Sequence, residues 1–109
     1  MSDEKKLPET FKSFVSKFPA LGEAHEAVGK AADAAGPMNS KMCELIKMGI
    51  CLGAGLETAF RSHVRRAMEN GATVEEVEQT VVLAMNTCGF PRAVAGWRWA
   101  WQQIEHDRG

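Results

Sequence analysis

Between Glu69 and Val77 the chain carries a helix stop and a helix start back to back. Asn70-Gly71 suits the left-handed residue that closes a helix, because glycine adopts positive φ without a steric cost. Thr73-Val74-Glu75-Glu76 is a capping box, in which the Thr73 hydroxyl and the Glu76 carboxylate each bond the other's backbone N–H. The segments on both sides are therefore expected to be helical, and similar punctuation recurs along the chain. Phe11, Phe14, Val15 and Phe18 fall at helical spacing, which predicts a first helix over 8–18, with Pro8 in its first turn and Pro19 ending it. An alanine-rich second helix is expected over 21–35, stopped by Gly36-Pro37. A third begins at the capping candidates Asn39 and Ser40 and runs to Leu52, where Gly53-Ala54-Gly55 permits a reversal. A fourth covers 57–69, a fifth runs from Thr73 to about Thr87, and Gly89-Phe90-Pro91 opens a sixth. In that last helix Trp97 and Trp101 share a face and Trp99 points elsewhere. No run alternates like a half-buried strand, so the expected class is all-α, a compact bundle of about six helices. At 109 residues it reads as a single domain over 1–109, with residues 1–7 a flexible start.

Thirteen basic against 14 acidic side chains leave a net charge of -1, which gives no electrostatic footprint for nucleic acid or an anionic membrane. The longest uncharged stretches, 48–56 and 80–91, are far shorter than the roughly 20 apolar residues that span a bilayer, so no membrane partner is expected. The charged start Met1-Ser2-Asp3-Glu4-Lys5-Lys6 leads into no apolar segment, which disfavours export and leaves the cytoplasm as the expected location. Cys43, Cys51 and Cys88 form no Cys-x-x-Cys pair. That argues against a disulfide framework and against a structural zinc site, and no metal or other cofactor is expected.

The candidate chemistry centres on Glu44 and His63, nineteen residues apart across the glycine interruption. Two antiparallel helices reversing near Ala54 bring them level, and a carboxylate beside an imidazole makes a proton-relay pair. Spacing alone also fits a blander arrangement, with Glu44 in a solvated stripe paired to Lys41 or Lys47, three positions away on either side. Leu56, Ala59, Phe60 and Ala67 share the face of His63 and turn it inward, where it is either a catalyst or a satisfied core histidine. Cys51 lies two turns beyond Glu44 on the same face, as a thiol near the pair or as a small buried hydrophobe. Arg61, Arg65 and Arg66 surround His63; an arginine fork matches a carboxylate, and a solvated face explains them equally well. His25 and His106 read as surface residues. The tryptophans can stack a ligand, fill a core or cover a subunit interface.

Glu44-Leu45-Ile46-Lys47, Gly53-Ala54-Gly55, His63-Val64-Arg65-Arg66-Ala67, Asn70 through Val77 and Cys88-Gly89-Phe90-Pro91 together resemble the carboxymuconolactone decarboxylase family, which includes alkylhydroperoxidase D, over roughly residues 38–100. The resemblance implies an alkylhydroperoxidase D-like helical fold that assembles into trimers or hexamers. In the peroxidase branch a glutamate and a histidine serve a Cys-x-x-Cys pair. Glu44 and His63 match the first two, but Leu56 and Ala59 stand where the cysteines would be. A dithiol mechanism needs one thiolate to attack and a second thiol to resolve, so that chemistry has lost its reagents. The decarboxylase branch also lacks the pair, and there the resemblance implies cofactor-free loss of carbon dioxide from a lactone. In that branch His63 supplies a proton, Glu44 orients or recharges it, and Arg65 holds a substrate carboxylate.

The expected protein is thus a decarboxylase-like homo-oligomer acting on a small organic acid or lactone, with Glu44 and His63 catalytic and Arg65 and Cys51 binding substrate. Two alternatives stand beside it. One is a thiol-dependent peroxidase of the peroxiredoxin type using Cys51, and the other is a non-catalytic protein of the same fold that binds a small ligand or serves assembly.

Overall fold

A computed structural model describes residues 7–109. Apart from Leu7, the expected flexible start lies outside these residues. Among the described residues the chain forms six α-helices and no strand: α1 (Glu9–Lys17), α2 (Pro19–Asp33), α3 (Ser40–Ala54), α4 (Glu57–Glu69), α5 (Val74–Val82) and α6 (Phe90–Arg108). The all-α expectation holds. Two compact units divide the chain, one ending at Pro37 and the other running from Met38 to Gly109.

The first unit is the α1–α2 pair. Pro19 sits in the first turn of α2, two residues earlier than expected, because proline's fixed φ suits a helix start as well as it ends the preceding one. Gly22 lets the helices approach, since a Cβ there would stand 3.0 Å from the Val15 side chain. Phe11 meets the exposed His25 edge-on at 6.0 Å.

In the second unit α4 runs back along α3. Asn39 caps α3, its side chain accepting the Met42 N–H at 2.8 Å. The reversal comes later than Leu52: α3 continues through Gly53, and Gly55 alone turns left-handed, with φ 74°. Leu56 N–H donates to the Cys51 carbonyl and Gly55 N–H to that of Leu52, the double bond pattern that closes a helix on a glycine. Gly71, with φ 95°, closes α4 in the same way, and the Thr73–Glu76 capping box opens α5 with both of its bonds made.

α5 stops at Val82, short of the expected Thr87. The N–H groups of Ala84, Met85 and Thr87 reach carbonyls only three residues back, and the Thr87 hydroxyl bonds the Leu83 carbonyl, drawing the chain out of α-geometry. Gly89, at φ 97°, then turns it into α6. Met48, Leu52, Phe60, Val64, Val77 and Val81 are fully enclosed, and burying side chains of this kind contributes roughly 1.5–3 kcal/mol each. α6 covers this core. Trp99 packs on Phe60 with ring centroids 5.9 Å apart, while Trp97 and Trp101 lie together on another face, 6.1 Å apart. Gly96 allows α6 to lie against α3, since a Cβ at that position would meet Leu52 at 2.8 Å. No helix among the described residues is long and apolar enough to cross a membrane.

Candidate acid–base site

Glu44 occupies the inward face of α3 with Met48, Cys51 and Leu52, at offsets of four, seven and eight residues. The solvated-stripe arrangement is therefore not the one adopted. Lys41 reaches away to α5, its Nζ 3.0 Å from Glu76 Oε2, which leaves Glu44 to other partners. On α4, Phe60, Val64 and Ala67 face the core and carry His63 with them. The two side chains meet as expected. His63 Nδ1 lies 2.7 Å from Glu44 Oε1, with the carboxylate side chain 8% and the imidazole 16% exposed.

An ionised carboxylate only accepts, so Nδ1 carries the hydrogen and donates. That orients the ring and leaves Nε2 to exchange protons with whatever enters. Glu44 Oε2, the second oxygen, faces Lys47 Nζ at 3.8 Å. The offset of three from Glu44 is the one sign of this contact in the sequence, and it fits a partner in a surface stripe equally well.

Cys51 is buried, and its thiol is pushed up first by that burial and second by the negative charge of Glu44. It therefore stays protonated beside the pair and is a poor nucleophile. Arg65 is also buried, its Nε 3.9 Å from Glu69 Oε2, and two positions from His63 it takes a bearing about 200° round the helix. Arg66, one turn beyond His63, is part-exposed. Arg61 is spent elsewhere, with Nε donating to Gln103 Oε1 at 3.1 Å. Leu56 and Ala59 occupy the entry to α4: Leu56 is exposed just ahead of the first turn and Ala59 is half-buried within it. Cys43 is half-buried and Cys88 exposed, while His106 is on the surface. Among the described residues no group of three His, Cys, Asp or Glu side chains is placed to hold a metal ion.

The carboxymuconolactone decarboxylase family model matches residues 19–102, which contain both members of the pair. The chain belongs to that family. The match begins at the first residue of α2, well before the stretch in which the resemblance was legible. An uncharacterized protein of Methanocaldococcus jannaschii is similar as well, 26% identical over 86 residues that cover 79% of this chain and 80% of its own. No solved structure matches the chain.

Proposed function

We propose that this family member performs cofactor-independent acid–base chemistry of the decarboxylase kind on a small organic acid or lactone, with Glu44 and His63 as the working pair. The observation that supports this reading is the 2.7 Å bond from His63 Nδ1–H to the buried Glu44 carboxylate. In the proposed reaction the bond between a carboxylate carbon and its neighbour breaks, carbon dioxide leaves, and the electron pair passes into a conjugated carbonyl as an enolate. A protonated His63 then delivers its Nε2 proton to carbon and is recharged from water. Net, one proton replaces one carboxylate. Glu44 stabilises the imidazolium and keeps the ring aimed. Of the arginines around His63, part-exposed Arg66 is better suited than buried Arg65 to meet a substrate anion.

The thiol-peroxidase reading is the weaker one. Leu56 and Ala59 cannot form a dithiol, and Cys51 is held as the neutral thiol. We read residues 1–109 as one domain, since the family match crosses both units, and as a cytoplasmic homo-oligomer, trimeric or hexameric. Free thiols at Cys43, Cys51 and Cys88 support a reducing compartment.

The test is carbon dioxide release from a panel of small lactone carboxylic acids with a conjugated carbonyl. His63→Ala is expected to lower turnover by about two to four orders of magnitude and Glu44→Gln by a smaller factor, with the oligomer unchanged. Release that survives both substitutions undiminished overturns the reading.

A further inference from the structure

We propose that a groove between the start of α4 and the second half of α6 is a binding site for a planar aromatic carboxylate, separate from the Glu44–His63 pair. The groove holds about 830 Å³, within the range of small-molecule sites, and is lined by Trp97, Arg98, Trp101 and Gln102 from α6 and by Arg61 from α4. The α6 residues share one face, because they follow one another at offsets of one, four and five. Arg61 precedes His63 by two positions and so leaves α4 on the opposite side from the pair. The proposal therefore stands whether or not the acid–base reading does.

The aromatic preference comes from the two indoles. Core packing uses Trp99, which meets Phe60, and part of Trp101, and it leaves Trp97 46% exposed. The Trp97 and Trp101 rings lie 6.1 Å apart and are tilted 54° to each other, so they make two walls and not one stacked pair. Trp101 is fixed before any ligand arrives: its Nε1–H donates to Glu78 Oε2 at 3.3 Å, and the Arg108 guanidinium stands 5.6 Å from its ring centre. A wall already held in place loses little side-chain entropy on binding.

The charge preference comes from the arginines. Arg61 is held by Gln103 Oε1 at 3.1 Å and faces Glu57 at 3.9 Å, whereas exposed Arg98 makes no hydrogen bond or ion pair among the described residues. Glu105, the one acid lining the groove, is paired with Arg108 at 3.1 Å. An excess of positive charge thus sits beside two aromatic walls. One unpartnered guanidinium fork matches one carboxylate, and a chain of phosphates would call for more. A second copy of the chain fits less well, since a two-fold contact through this face sets Arg61 and Arg98 against their own images.

The test uses the full chain with 15N-labelled indoles, titrated with 2-naphthoate and followed by proton–nitrogen NMR; Trp97→Phe and Trp101→Phe identify the three tryptophan signals. Saturable shifts are expected at Trp97 and Trp101, with Trp99 moving least and a dissociation constant of about 0.1–1 mM. 2-Naphthalenemethanol keeps the rings without the charge, and cyclohexanecarboxylate keeps the charge without the rings. Each is expected to bind about five- to tenfold more weakly than naphthoate, and Arg98→Gln to weaken naphthoate by a similar factor. Arg98→Lys should lose less, and His63→Ala should bind as the unmodified protein does. The absence of a saturable shift, equal affinity for the neutral alcohol, or full affinity in Arg98→Gln overturns the proposal. Loss of binding in His63→Ala overturns it too, by placing the ligand at the acid–base pair. Trp97→Glu, measured by light scattering, addresses the remaining occupant: a mass below that of the unmodified protein makes this face an interface between copies and overturns the proposal, whereas an unchanged mass supports it.

Discussion

Arg92 occupies the space that a side chain at Gly55 would need. A Cβ on Gly55 would stand 2.8 Å from Arg92 Nη1, the same atom that donates to the Leu52 carbonyl at 2.8 Å and to that of Gly53 at 3.4 Å. The first turn of α6 thereby caps the last carbonyls of α3 at the point where the chain reverses. That reversal sets Glu44 level with His63.

Gly55→Ala is expected to destabilise the protein by about 1–3 kcal/mol in urea unfolding, because alanine is strained at φ 74° and meets the guanidinium. Arg92→Ala alone removes the cap. Combined with Gly55→Ala it relieves the clash and leaves the backbone strain, so the double variant should lose less than the sum of the singles. Additive losses would show that the two residues do not press on each other.

Thr73→Ala should cost about 1 kcal/mol, the usual loss for an N-cap threonine. The Thr73 backbone N–H and then Lys41 hold the Glu76 carboxyl below the usual carboxylate range. A lowered native pKa stabilises the fold above the ordinary carboxylate range, and the gain is lost as pH falls through the lowered value. The stability difference between the unmodified protein and Glu76→Gln should accordingly be greatest near neutral pH and shrink in acid, as read by melting temperature. A difference that grows on acidification contradicts the assignment.

Cys51 should be the last thiol to react. Cys88 is exposed and Cys51 buried with its thiol pushed up, so iodoacetamide near pH 8 should label Cys88 first, as read by mass spectrometry of peptides. A raised thiol pKa stabilises the fold below the ordinary thiol range and is lost as pH rises through the raised value, so Cys51 labelling should accelerate steeply in alkali. Hydroperoxide reduction with a dithiol reductant should stay near background. Turnover abolished by Cys51→Ser would restore the peroxidase alternative.

Ile50, Phe90, Leu83 and Val94 are exposed by half or more in the second unit, apolar surface of the kind that an interface between copies of the chain covers. Light scattering at micromolar concentration is expected to give a multiple of 11.9 kDa, consistent with a trimer or hexamer. A mass equal to one chain rules this out.

The features legible in advance are those whose partners lie within one turn of the chain. The Thr73–Glu76 box and the Asn70-Gly71 stop close hydrogen bonds over three to five residues, and the structure makes them where the residue types demand. The end of α5 was missed because nothing local distinguishes Leu83 from the residues before it; the departure depends on bonds converging on the Ala84 carbonyl and on the Gly89 turn. The spacing of Glu44 and His63 across Gly55 was visible as well, and with it the possibility of a pair.

The burial of Glu44 was not visible. Lys41, Glu44 and Lys47 at intervals of three describe a solvated stripe and a buried carboxylate with flanking cations equally well. The outcome was decided by α5, which offers Glu76 to Lys41, and by α4, which brings His63 to Glu44. The periodicity of apolar residues determined the helices and left a reversal and a candidate pair in the chain. Tertiary structure decided which lysine stays at Glu44, that Arg65 is buried and that Arg92 enters the turn, because the energy of a charge depends on which groups the other helices place around it.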